Sequence, residues 1–239
     1  MKTLLNRRIL SLNRVLQLSL FFFFLHCCPF QAKEFSYFYP PEGWVPAPPD
    51  ALAPLVKMGF LEPKHFGFRS SLNLAEEEID CNLDEYLEAV KAIHTASRHN
   101  HWTYLGKFLT KAGPAVLSQL DTTAAWGPIR MLQLIFVRDS KAYILTAASS
   151  KSQFPKMMKT FKQCLSSFSI ATDLLSAIEN TKKREHLQNL QTLTLKDASE
   201  DSLEKFQKEV LQNFADLGAY WQALLIAETT QMRKQASQP

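Results

Sequence analysis

The stretch that decides the fold is Ile129-Arg-Met-Leu-Gln-Leu-Ile-Phe-Val137, then Arg138-Asp139-Ser140-Lys141, then Ala142-Tyr-Ile-Leu-Thr-Ala-Ala148. Two apolar, β-branched runs joined by four polar residues form a β-hairpin, because the short polar link leaves the strands no route except to turn back on each other. Upstream, Val116 to Thr123 reads as another strand, and Trp102, Tyr104, Gly106 and Phe108 share one parity in a further one. Strands linked by consecutive hairpins make an antiparallel meander, which argues against a parallel dinucleotide-binding sheet.

Helices flank this meander. Asn82 with Glu85 three residues on has the form of a capping box, and Leu83, Tyr86, Leu87, Val90 and His94 follow on one helical face, so a helix is expected over about 83 to 98. Downstream, Ser152 is placed to cap a helix in which Phe154, Met157, Met158, Phe161, Cys164, Leu165 and Phe168 form an unbroken apolar stripe. A stripe that complete is core packing against the sheet rather than a cofactor box. Nearer the start, Phe35 to Tyr39 is a short aromatic strand stopped by Pro40, Pro41 and Gly43. A proline-rich connection follows through Pro46, Pro48, Pro49 and Pro54, and Phe66, Phe68, Ser70, Leu72 and Leu74 then alternate with polar residues as a half-buried strand does.

After Ile170 no strand-like run recurs. Thr172 to Leu195 reads as a weaker helix, and Leu203, Phe206, Val210, Leu217, Tyr220 and Leu224 repeat with near-heptad spacing, widened by Phe214 and Trp221 and interrupted or bent at Gly218. Such a face is too apolar for water. It must fold back on the domain, pair with a second copy or receive a partner.

The first 32 residues contain no acid and carry Lys2, Arg7, Arg8 and Arg14, followed by the apolar run Val15 to Leu25. This is the form of a signal peptide, and at that length it is short for a membrane span. Cleavage after Ala32, lipidation at Cys28 and retention as a membrane anchor are all open. Of the 27 basic residues these four belong to the segment, leaving 23 against 23 acids. With no basic excess in the remainder, the electrostatic footprint of a nucleic-acid binder is missing. The chain thus divides into residues 1–32 as signal, 33–170 as an α+β domain and 171–239 as a helical tail, exported to the periplasm or cell envelope.

Ala142 to Ala147, the helix with Phe154 and Phe161, and the closing Ser167-Phe168-Ser169-Ile170 resemble the last strand, last helix and terminus of the PsbP/Mog1-like superfamily, which includes DcrB-like bacterial envelope proteins. Tyr39-Pro40-Pro41-Glu42-Gly43-Trp44 is similar to the opening of such domains, and Gln133 to Val137 to the preceding strand. The resemblance runs over about residues 34 to 170. It implies an antiparallel sheet flanked by helices in an α/β/α sandwich, and an accessory or docking role rather than an enzyme.

Candidate chemistry is thin. His94, His99 and His101 are the least weak metal candidates, but a site needs three or four groups converging in space, so neither metal nor cofactor is expected. Glu76, Glu77 and Glu78 lack the ligand spacing of a calcium loop and read as a solvated strand end. Cys81, Ser149, Ser150 and His101 could serve an unmarked hydrolase, yet no nucleophile elbow or Cys-x-x-Cys occurs. Cys81 and Cys164, the cysteines outside the signal segment, are open to pairing or to standing as free thiols. Trp44 and Trp126, beside proline or glycine, are candidates for a contact patch, as are Leu217, Tyr220, Trp221 and Leu224 in the tail. The expectation is a non-enzymatic envelope accessory protein that docks on a protein partner or self-associates through its tail. A small-ligand or metal-binding role is the alternative.

Overall fold

The computed structural model describes residues 34–63, 67–197 and 199–236. The expected signal segment, Cys28 and Phe66 lie outside the described residues. From Glu34 onward the chain is one compact unit, in the element order β1 (Phe35–Tyr37), β2 (Val45–Pro46), β3 (Val56–Leu61), β4 (Ser71–Glu78), α1 (Leu83–Thr95), β5 (His101–Thr110), β6 (Gly113–Ala124), β7 (Gly127–Arg138), β8 (Lys141–Ser150), α2 (Phe154–Ser166), β9 (Ser169–Ala171), α3 (Thr181–Lys196), α4 (Glu200–Asn213) and α5 (Ala219–Ala236).

Seven strands form one antiparallel sheet in the order β2-β3-β4-β8-β7-β6-β5, and β1 pairs separately with β9. The hairpin expected at residues 138–141 closes tightly: Arg138 pairs with Lys141, and Asp139 and Ser140 take positive φ. An aspartate tolerates that left-handed geometry better than most side chains. Strands β5 to β8 are the expected meander, and β4 lies beside β8 because α1 carries the chain across the sheet from β4 to the far edge.

Alternation in these strands sorts side chains into two cores. On one face Tyr86, Leu87, Val116, Ile135 and Ala142 pack beneath α1, with Val90 and Ile144 around them. The capping box that starts α1 is present in full, Asn82 accepting from the Asp84 and Glu85 amides while Glu85 accepts from the Asn82 amide. The other face holds the larger core: Leu72, Leu74, Leu132, Leu134, Leu145 and Ala147 from the sheet meet Phe154, Phe161 and Leu165 of α2. The fold is therefore α+β, an antiparallel sheet between helical layers with a C-terminal helical extension.

Four expectations are corrected. The proline-rich connection contains two strands, β2 and β3. Met58 and Phe60 are buried there, and β3 pairs with β4 through Gly59 opposite Asn73. In β5 the shared parity of Trp102, Tyr104, Gly106 and Phe108 fails, because the register shifts between Tyr104 and Gly106. A single extra residue flips everything beyond it to the other face, so Trp102 and Tyr104 stand on the α1 side, whereas Phe108 reaches the α2 core. Ser152 does not cap α2. The N-cap position is Gln153, whose side chain makes no cap hydrogen bond, and the Ser152 hydroxyl pairs with that of Ser150 at 3.3 Å.

The fourth correction concerns the tail. The weaker helix begins only at Thr181, after a 3-10 turn over Leu174–Ala177, and the heptad-like segment is two helices broken at Gly218, whose φ is 84°. Neither stands apart. Leu187 from α3, Phe206 and Val210 from α4 and Trp221 and Leu225 from α5 are buried in the same core as the sheet and α2.

Candidate functional site

The sequence candidates for a docking surface separate sharply once folded. Trp221 is 3% exposed and stands edge-on to Tyr37 with ring centroids 5.4 Å apart, while Phe35 lies at 6.2 Å on a tilt. Leu217, Tyr220 and Leu224 are partly buried against the same core. Burial pushes the Tyr220 phenol up to about 12, so its hydroxyl stays neutral. The tail's apolar stripe thus packs on its own domain, where β1, held by β9, offers it an aromatic face: Trp221 is closed to a partner, and Leu217, Tyr220 and Leu224 are half-covered.

Trp44 has the same fate. The turn at Pro41 to Trp44, closed by the Trp44 amide donating to the Pro41 carbonyl, sets its ring edge-on to Phe161 at 6.4 Å. Trp126 does not. It occupies the two-residue turn between β6 and β7, beside Gly127 at φ 107°. It is 71% exposed, with Phe68 as a ring neighbour at 6.4 Å. Sequence context alone could not separate these tryptophans, since each sits near glycine or proline.

Below Trp126, the β6–β7 hairpin carries the most ordered charge cluster. Asp121 accepts from Arg130 through both carboxylate oxygens at 2.6 and 2.7 Å and faces Lys151 at 2.9 Å. The Arg130 hydrogen bonds hold the Asp121 carboxyl down at about 2, against the burial that opposes them. Arg130 in turn lies over the Phe154 ring. This cluster ties the base of the hairpin to the start of α2 and is structural: all three charges answer one another.

The expected nucleophiles and ligands are not assembled. Ser149 is fully buried and its hydroxyl accepts from that of Ser70 at 3.1 Å. Cys164 lies in the larger core, where burial pushes its thiol up to about 12. Cys81 packs at the edge of the α1 core, on the opposite side of the sheet, so the two thiols are separate and free. His94 is half-buried, and burial lowers its pKa. His101 lies on β5 opposite Asp121, and His99 is exposed. Among the described residues no group of three metal-ligating side chains comes together. The Glu76–Glu78 run belongs to β4: Glu76 accepts from Ser36, Glu77 from the Tyr86 hydroxyl at 2.6 Å, and Lys141 lies 3.3 Å from Glu78. Glu76 and Glu77 thus clasp β4 to other elements, and Glu78, exposed beside Lys141 of the neighbouring strand, is the solvated strand end.

Among the described residues concavities lie on the tail, where one of about 410 Å³ runs along Leu190, Leu193, Thr194 and Lys205, and at two places beside the sheet. One, of about 370 Å³, lies where α5 crosses β3 and is lined by Leu52, Met58, Gly59, Gly218 and Tyr220. The other, of about 530 Å³, sits beside Tyr39 and Lys111. There Lys111 is held by Glu179 at 3.2 Å and lies over the Tyr39 ring, which leaves no convergent free polar set.

No family model and no curated protein matches this sequence. Solved structures do. The chain is similar to LpqN of Mycobacterium tuberculosis, involved in cell envelope biogenesis, at 10% identity and a TM-score of 0.46, over 60% of this chain and 87% of that one. It is similar to the cyanobacterial PsbP of Synechocystis at 16% identity and a TM-score of 0.40, over 61% and 97% of the two chains. It is also similar to PA94 of Pseudomonas aeruginosa, a protein of unknown function described as a putative regulator, at 15% identity and a TM-score of 0.38, over 55% and 94%. A PsbP stands among the structures the chain is similar to. These likenesses concern the course of the backbone and assign no activity.

Among the described residues no helix is long and apolar enough to cross a membrane.

Proposed function

We propose that this is an exported, non-enzymatic accessory protein of the bacterial envelope that works by docking on another protein. The observation that carries the reading is where large apolar side chains remain in water. Trp126 at the β6–β7 turn, Tyr104, Leu105 and Leu109 on β5, and Ile93 on the neighbouring α1 are all exposed, between 47% and 74%. The tail's stripe, in contrast, lies buried or half-buried against the core, and the exposed apolar residues of the tail, Leu193, Leu211 and Met232, stand outside it. Exposed tryptophan on a rigid two-residue turn is costly to leave in water and is the side chain most enriched at binding hot spots.

Export rests on the first 32 residues, with their basic start and apolar run. Attachment to the membrane through that segment, or through lipid at Cys28, is compatible with the same role. The candidates speak against hydrolysis: Ser149 is bonded to a serine rather than to a histidine, and Cys81 packs against the α1 core.

Co-purification from cells after mild crosslinking tests the reading, comparing the full-length protein with Trp126→Ala. Loss of a partner from a variant whose thermal unfolding is unchanged is the expected result. Retention of every captured protein by Trp126→Ala would remove the patch as the docking surface.

A further inference from the structure

The two edges of the seven-stranded sheet are unlike each other. On one side it ends in β2, two residues long, containing Pro46 and lying against the turn Ala215–Leu217. That edge is short, proline-blocked and covered, as protected edges are. On the other side it ends in β5, ten residues long, whose strand neighbour among the described residues is β6 alone. Along the free side of such a strand, alternate residues direct N–H and C=O groups outward with no strand to receive them.

The charge on this edge is as lopsided as its hydrogen bonding. Residues 89 to 120 contain no acid, yet they carry Lys91, Arg98, Lys107 and Lys111, together with His94, His99 and His101. Lys91 is answered by Glu88 at 3.2 Å and Lys111 by Glu179 at 3.2 Å. Arg98 and Lys107 are exposed and have no acidic partner among the described residues. Between and beside them stand the exposed Tyr104, Leu105, Leu109 and Ile93.

We infer that β5 is a strand-addition edge that receives an extended, acidic segment of a partner protein. This deepens the docking reading and rests on it. The backbone groups supply affinity, the apolar side chains give the incoming strand a surface, and Arg98 and Lys107 set its charge.

Rival occupants fit less well. A second copy would bring one acid-free stretch against another, with Arg98 and Lys107 facing their own kind. An anionic bilayer would satisfy the charges and the leucines, but hydrocarbon offers nothing to open N–H and C=O groups. Two unanswered cations are few for a phosphate backbone, whose binders neutralise roughly six to ten phosphates.

The test is selection of binders from a displayed library of random dodecapeptides on the whole protein, free of any preferred sequence. Enrichment of peptides rich in aspartate or glutamate and in β-branched residues is expected. Their affinity falls roughly tenfold in the surface variant Arg98→Glu/Lys107→Glu, falls with added salt, and is abolished by N-methylation of alternate peptide residues. Amide exchange of residues 101–110 slows on binding. Neutral or basic winners, binding indifferent to the double variant, protection elsewhere or no winner at all would each overturn the assignment. So would binding of phosphatidylglycerol vesicles that the double variant abolishes while no acidic peptide is selected. The docking reading falls separately, only if Trp126→Ala keeps every partner.

Discussion

Trp221 of α5 meets Tyr37 of β1 edge to face at 5.4 Å, and through that contact a helix near the end of the chain closes over a strand near its beginning. Because β1 is itself pinned by β9, through Phe35 opposite Ala171 and Tyr37 opposite Ser169, the tail and the sheet domain share one core. Removing the indole leaves a cavity lined by aromatic rings. Trp221→Ala is therefore expected to lower stability by about 3 to 5 kcal/mol, read by urea unfolding. A chain ending at Ile170 is expected to expose Phe35 and Tyr37 and to bind a hydrophobic dye. A stable, dye-silent truncation would show that the tail is dispensable.

Gly218 breaks the tail where it has to turn. Its φ of 84° suits glycine, and a Cβ there would stand 3.1 Å from Cζ of Phe60, which is fully buried. Gly218→Ala combines left-handed strain with a close contact and is expected to cost about 1 to 3 kcal/mol, seen as a lowered Tm.

The acid limb of stability reports on Asp121. Its carboxyl is held at about 2 in the fold by Arg130 and Lys151, below the value of about 4 of an unfolded aspartate. A depressed folded pKa contributes stability that is fully present above about pH 4 and is lost as pH falls through 2. In Asp121→Asn the stability from this group is absent at neutral pH, and the slope of stability against pH between about 4 and 2 is shallower, measurable by unfolding at stepped pH.

Cys164 and Cys81 differ in access. The first is buried, with its thiol pushed up to about 12, and the second is half-buried at the rim of the other core. Iodoacetamide at neutral pH is expected to label Cys81 in the native protein and Cys164 only after unfolding, by mass spectrometry. Labelling of either cysteine in the unfolded chain only after a reductant is added would mean a disulfide, which placement on opposite sides of the sheet forbids.

Much of this was legible because it is local. The Arg138–Lys141 turn, the Asn82–Glu85 cap and the stripe from Phe154 to Phe168 each follow from residues a few positions apart. What depends on distant pairing was not. Val56 to Leu61 is hidden by flanking prolines and by Gly59, whose strand character exists only because Leu72 and Asn73 lie beside it. The bulge at Leu105 inverts a parity that alternation alone cannot see. The tail's heptad spacing shows that a face must be covered and says nothing of by what, so Trp221 and Trp126 looked alike until β1 placed an aromatic surface under the first. The open edge of β5 was illegible for the same reason, because strand order is a property of the whole sheet.

The central claim is that the protein docks through the Trp126 and β5 side of its sheet and not through its tail. Photocrosslinking in cells tests it most directly, with the reactive residue placed at Trp126, at Leu109 of β5 or at Leu193, which is 62% exposed on α3. One partner is expected to crosslink from positions 126 and 109 and not from 193. A partner captured from 193 alone would contradict it.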